Sequence, residues 1–298
     1  MDLLPPEMIL AMVEQMDMAT MMQFMQTTKA CSPHSPPPWR TVRSILQDYE
    51  TSICKPRTAA RPGLPPPMEY MLSSRGPDRR VLVSGSFHGV LEMDLRQERI
   101  GRALRGDFLN TNDPPLLGPL TPRQRDRLLR LMSGSLCHCD HIADIAANIQ
   151  GGGPSARAAQ IQYLGALSTD ELAALFFAVD MAGFAFVRAR KYEAEDPLVW
   201  EKITVFEECL LRHGSWFLWA HMQGGQESHA SQLIETGMKE LTEWETGKAG
   251  MEPGLRMSLV EVYRSRRKEA DDDAVDLESS LRERLISQVM APHAHAAT

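Results

Sequence analysis

Cys137-His138-Cys139-Asp140-His141 is the densest run of metal-ligating side chains in this 298-residue chain. Zinc takes soft or borderline ligands, usually four, converging in a tetrahedron. If the run is helical, Cys137 and His141 share a face with Asp144 near it, while Cys139 joins Leu136, Ile142 and Ala146 on the apolar face. Two or three ligands would converge, and no second CxxC or HxxxH completes the set. Cys209 and His213, at i and i+4, supply two more only through a tertiary contact. Buried thiols and surface imidazoles account for the cluster more simply, so no metal or other cofactor is expected. A zinc-binding protein or metal-dependent enzyme using Cys137 and His141 with Cys209 and His213 stays open as the alternative.

Other chemistry is harder to build. His213, Trp216, Phe217, Trp219 and His221 are spaced to line a ligand pocket, yet aromatic residues at helical spacing are more often core. Gly151-Gly152-Gly153 before Pro154 reads as a helix terminator, because it lacks the strand and the Gly-Lys-Ser/Thr end of a phosphate loop. No GxSxG occurs, and spacing places no nucleophile beside a base. Asp271-Asp272-Asp273 lacks the alternating ligands and glycine of a calcium loop and reads as a solvated helix start. The expectation is a protein without catalytic residues.

Composition narrows the partners. Hydrophobic residues make up 43% of the chain, enough for a substantial core, and the net charge is −7. An acidic chain is a poor partner for nucleic acid, and Arg123-Gln124-Arg125-Asp126-Arg127 reads as the solvated side of a helix. No stretch approaches the ~18 continuous apolar residues of a membrane span. Asp2, Glu7, Glu14 and Asp17 stand where a secretory signal needs a basic start and an unbroken apolar run. Five scattered cysteines fit reduced thiols better than a disulfide framework. The expected location is the cytosol or nucleus.

The elements that would position these residues are nearly all helical. Trp39, Val42, Ile45, Leu46 and Tyr49 recur at helical spacing after the SPHSPPPW cluster. Residues 55–79, rich in Pro, Gly and Arg, read as a linker or long loop. The 81–95 stretch reads either as a small β-hairpin or as a loop leading into a helix. Thr121-Pro122 predicts a capped helix start, and Ser168 with Glu171 predicts a capping box before an apolar run through Phe186. Asp196-Pro197 opens a helix with Val199, Ile203, Phe206 and Leu210 on one face, interrupted at Gly214 and resumed from Trp216 to Met222. Further helices are expected over about 227–245, 253–269 and 274–290. The fold class is therefore all-α: a helical module over 1–54, a helical domain over 80–290 with room for one hairpin, and a frayed tail over 291–298.

The opening is unlike the rest. Eight of the eighteen methionines fall within the first 25 residues. Leu4-Pro5-Pro6-Glu7 starts a helix, on which Ile9, Met12, Val13 and Met16 form one face. Asp17 is placed to cap a second helix, where Met18, Met21, Met22 and Met25 repeat the spacing beside Phe24. Two such helices packed together hide one stripe each, and the remaining apolar surface needs another partner. Methionine suits such a surface, because its flexible thioether adapts to the shape it meets.

The order of these residues resembles an F-box, the helical module that docks onto the Skp-family adaptor of cullin–RING ubiquitin ligases. Leu4-Pro5-Pro6-Glu7 matches its start, Met8-Ile9, Met12-Val13 and Met16 its hydrophobic pairs, and Met18, Met21-Met22, Phe24-Met25 and Lys29 its second helix. Methionine stands where leucine is usual, and Thr20 where an aspartate is common. The 208–224 stretch, ECLLRHGSWFLWAHMQG, is similar to a segment of uncharacterised fungal F-box proteins. The resemblance implies a three-helix F-box-like module followed by an irregular multi-helix domain. It implies a Skp-family adaptor bound through Leu4, Pro5, Ile9, Met12, Val13, Met16, Met21, Met22 and Met25, and a target protein bound by the helical domain. An F-box-like interaction protein without a ligase role is the related alternative.

Overall fold

Strands β1 (Tyr70–Leu72) and β2 (Val81–Val83) lead into α1 (Phe87–Arg105), α2 (Pro122–Asn148), α3 (Pro154–Ala166) and α4 (Thr169–Arg190). Then follow α5 (Val199–His213), α6 (Ser215–Gln223), α7 (His229–Glu245), α8 (Leu255–Lys268) and α9 (Leu277–Met290). These elements come from a computed structural model that describes residues 20, 65, 68–73, 80–105, 109, 117–149, 154–190, 197–223, 229–245, 254–268 and 277–290. The architecture is all-α with one small antiparallel hairpin. The module expected over 1–54 and the tail over 291–298 lie outside the described residues, apart from Thr20.

The hairpin pairs Tyr70 with Val83, Met71 with Leu82 and Leu72 with Val81. So short a ribbon is marginal alone, and helix side chains complete it. Asn148 accepts from the Tyr70 N–H at 3.0 Å and donates to the Tyr70 carbonyl at 2.7 Å. The Leu72 N–H donates to Asp144 at 2.8 Å, and Arg96 donates to the Leu72 carbonyl at 2.6 Å. These bonds satisfy the outer edge of β1, where a third strand would otherwise sit. β1 falls within the 55–79 stretch read as a linker. The 81–95 stretch holds both a hairpin strand and the start of a helix, so its two readings combine.

The helix starts follow the capping signals. Thr121 accepts from the Gln124 N–H while Gln124 reaches back to the Thr121 N–H, with Pro122 in the first turn. Ser168 and Glu171 make the same reciprocal pair at the start of α4. The helix expected from Asp196-Pro197 begins instead at Val199, with Leu198 as an N-cap that makes no side-chain bond. α2 closes at Asn148, ahead of the glycine run.

α4 is central. It packs against α2, α5, α8 and α9, and Leu172, Leu175, Ala178 and Ala182 are all fully buried. By length and composition Thr169–Ala189 is a helix able to cross a bilayer, and 67% of its apolar window is buried inside this body. Its small residues let neighbouring helices approach, and Phe186 stacks on Phe206 of α5 with centroids 4.6 Å apart. Phe206 in turn meets Phe217 of α6 at 5.0 Å. Of the predicted face Ile203, Phe206 and Leu210 are buried together, whereas Val199 in the first turn is half-buried; Cys139 joins Leu136 and Ile142 in the core, but Ala146 is exposed. It stands beyond the point where α2 turns from the core toward the hairpin through Asp144 and Asn148.

Two helices start in the same unusual way. α5 ends at Gly214, whose φ of +69° suits glycine, and α6 begins at the next residue. Asp140 of α2 accepts from the Ser215 N–H at 2.7 Å and from its hydroxyl. α8 begins just after Gly254, and Glu208 of α5 accepts from the Arg256 N–H at 2.9 Å. In both, a carboxylate from a packed helix supplies the cap that the local sequence lacks, satisfying orphan N–H groups and the positive end of the helix.

Candidate functional site

A groove of about 320 Å³ lies between α5, α7 and the start of α8. α5 contributes Thr204, Val205, Glu208, Cys209, Arg212 and His213, which fall on one face by helical spacing. α7 contributes Leu233, Thr236, Gly237, Glu240 and Leu241. Arg256 and Met257 of α8, with Gly254 just before it, complete the groove. Gly237 lets the two long walls approach, because a Cβ there would lie 2.6 Å from Val205 Cγ1.

Apolar and charged side chains both line it. Arg212 bridges two carboxylates, with Nε at 2.6 Å from Glu208 and Nη1 at 2.7 Å from Glu240. Arg157 of α3 reaches Glu208 at 3.3 Å. Burial pushes the Glu208 carboxyl up, but Arg212, the Arg256 N–H and Arg157 outweigh it and hold it below the usual range. Glu207, 2% exposed, is the reverse case. Burial dominates, Arg256 offsets only part of it, and Asp180 adds to it, so its carboxyl is pushed up to about 7. Arg256 thus holds Glu208 by its backbone and Glu207 by its side chain. Burial pushes the Cys209 thiol up to about 12, so it lines the groove as a thiol and not as a thiolate nucleophile.

A second charged cluster sits under the hairpin. Arg96 grips Asp144 through two nitrogens at 2.6 and 2.9 Å, and Glu92 lies 3.4 Å from its Nε. Arg99 lies 3.8 Å from Glu92 and 4.5 Å from the Trp219 ring centroid. Burial disfavours the Arg96 charge, but Asp144, Asp140 and Glu92 together raise its pKa. Burial pushes the Asp140 carboxyl up despite Arg96 and Ser215. The cluster joins β1, α1, α2 and α6 and is closed to ligands, so its work is structural.

The candidate metal ligands of the alternative reading are not gathered. Cys137 accepts from Gln97 at 3.3 Å, and His141 stacks on Tyr163 of α3 at 4.4 Å. His138 meets the Tyr163 hydroxyl at 2.7 Å, and burial lowers its pKa. Asp144 is turned to Arg96 and β1, while Cys209 and His213 line the groove on α5. Among the described residues no three His, Cys, Asp or Glu side chains are placed to hold a metal ion. Of the aromatic set, Trp216, Phe217 and His221 are core, with His221 between Phe186 and Phe206; only His213 reaches the groove. The adaptor-binding residues expected from the resemblance, Leu4, Pro5, Ile9, Met12, Val13, Met16, Met21, Met22 and Met25, lie outside the described residues.

The groove residues Glu208, Arg212, Gly237, Glu240 and Arg256 escaped the reading of the sequence. Two signals were present: the Glu208–Arg212 pair at i, i+4, and a lone glycine inside the α7 pattern. Comparisons with family models, with curated proteins and with solved structures find no match for this chain.

Proposed function

We propose that this chain is a substrate-recognition subunit of a Skp–cullin–F-box-type ubiquitin ligase in the cytosol or nucleus. The Met-rich opening docks on a Skp-family adaptor, and the helical body holds a target protein. The observation that carries the reading is the order Leu4-Pro5-Pro6-Glu7, followed by paired apolar residues one helical turn apart through Met25. The body supports it in one respect: Met71 to Val289 supply a large core, and that body carries an open groove suited to a partner. The mechanism is proximity. The protein makes and breaks no bond itself and holds its target near a ubiquitin-loaded enzyme.

Ile9 and Val13 are four residues apart in the sequence, the spacing of one face in the expected helix, so a charge at both positions should destroy an apolar docking face. The double variant Ile9→Asp with Val13→Asp should lose co-purification with the adaptor while its helical circular dichroism stays near wild type. Undiminished adaptor binding by that variant would defeat the proposal.

A further inference from the structure

The groove has a chemistry of its own. Its apolar lining is Val205, Cys209, Leu233 and Leu241, and Arg212 and Arg256 line it too. Arg256 bonds Glu207 through Nε alone, and Arg212 uses Nε and Nη1. Three guanidinium nitrogens, Nη1 and Nη2 of Arg256 and Nη2 of Arg212, therefore have no acceptor among the described residues. Arg212 is shared by Glu208 and Glu240, and Arg256 pairs with the buried Glu207.

We propose that this groove binds the carboxyl-terminal end of a peptide chain, with the last apolar side chain on the Val205–Cys209–Leu233 lining and the terminal carboxylate on Arg256 and Arg212. Four arguments select that occupant. A chain end carries an apolar side chain and a carboxylate on one residue, matching an apolar lining and arginines that adjoin. An internal Asp or Glu separates the two by at least a residue. The stretch of α5 from Thr204 to His213 is about 13 Å long, room for about four extended residues, and a volume of about 320 Å³ is at the small end of ligand sites. Thr204 and Thr236 along the walls offer hydroxyl oxygens to peptide N–H groups, and a fatty acid has no N–H to give them.

The inference deepens the proposed function, since it names what the body recognises in a target, but its test needs no adaptor. The full chain is titrated into a fluorescein-labelled pentapeptide ending in Leu-Leu with a free carboxylate, and into the same peptide amidated. The free acid should bind about tenfold or more tighter than the amide, the scale of a charge-assisted bidentate contact. Arg256→Gln should remove that preference. Because Arg256 also pairs with Glu207, Thr236→Trp serves as a second variant: Thr236 is exposed, and an uncharged tryptophan there fills the groove mouth and should weaken both peptides alike. Equal binding of acid and amide, binding unaffected by Thr236→Trp, or no binding at millimolar protein would overturn the proposal. N-acetyl-leucine is run as a competitor; if it displaces the peptide at equal concentration, the site is one for small carboxylic acids and the peptide assignment falls. Peptide capture without adaptor binding would refute the ligase reading alone, and adaptor binding without peptide capture would refute the groove proposal alone.

Discussion

Glu207 and Glu208 are adjacent on α5, yet their surroundings send them in opposite directions. Glu208 has two arginines and a helix N–H around it, whereas Glu207 has one arginine and lies near Asp180. The consequence for stability has a definite sign. A carboxyl raised from 4.5 to about 7 in the folded state binds its proton more tightly there than in the unfolded chain, so stability falls as pH rises across that window. The loss is on the order of 3 kcal/mol by pH 8. Glu208 acts the other way and below the window: its contribution is present above 4.5 and is lost as pH falls through its lowered value. Urea titrations of wild type and Glu207→Gln between pH 5 and pH 8 should therefore show a decline in the wild type that the variant largely lacks. Parallel slopes would mean that Glu207 is not the titrating group.

At the scale of elements, the close approach of α5 and α7 sets the groove. Gly237→Ala brings two opposing effects. Alanine favours the helix by about 1 kcal/mol, whereas its methyl would sit 2.6 Å from Val205 Cγ1, an overpacking that costs about 1–3 kcal/mol. The crowding should win, giving a net loss of about 1 kcal/mol in chemical denaturation and a wider groove. A stabilised variant would contradict that contact. This scale also shows what sequence makes legible. Thr121 with Gln124 and Ser168 with Glu171 announce their helices because both halves of each cap lie within four residues. The starts of α6 and α8 are capped by Asp140 and Glu208, remote in sequence, so only packing reveals them. β1 was hidden for the same reason: its outer edge is satisfied by Asn148, Asp144 and Arg96 instead of by a strand pattern. The groove was less legible still, since its charges come from four helices and only the Glu208–Arg212 pair is local.

The whole molecule joins two parts of different character. The first 25 residues are rich in methionine and poor in charge, and their order carries the reading of function. The body from β1 to α9 is organised around α4; Arg96 is locked with Asp144 under the hairpin, and Glu208, Arg212, Glu240 and Arg256 line the groove. Such a division fits a protein that brings two partners together: an apolar opening for one and a charged groove for the other. The measurement that bears most directly on this account is co-purification of the full chain with a Skp-family adaptor, beside a chain lacking residues 1–31. The account predicts that the full chain retains the adaptor and the shortened chain does not, although both remain helical. Failure of the full chain to retain it, or equal retention by the two, would contradict the account.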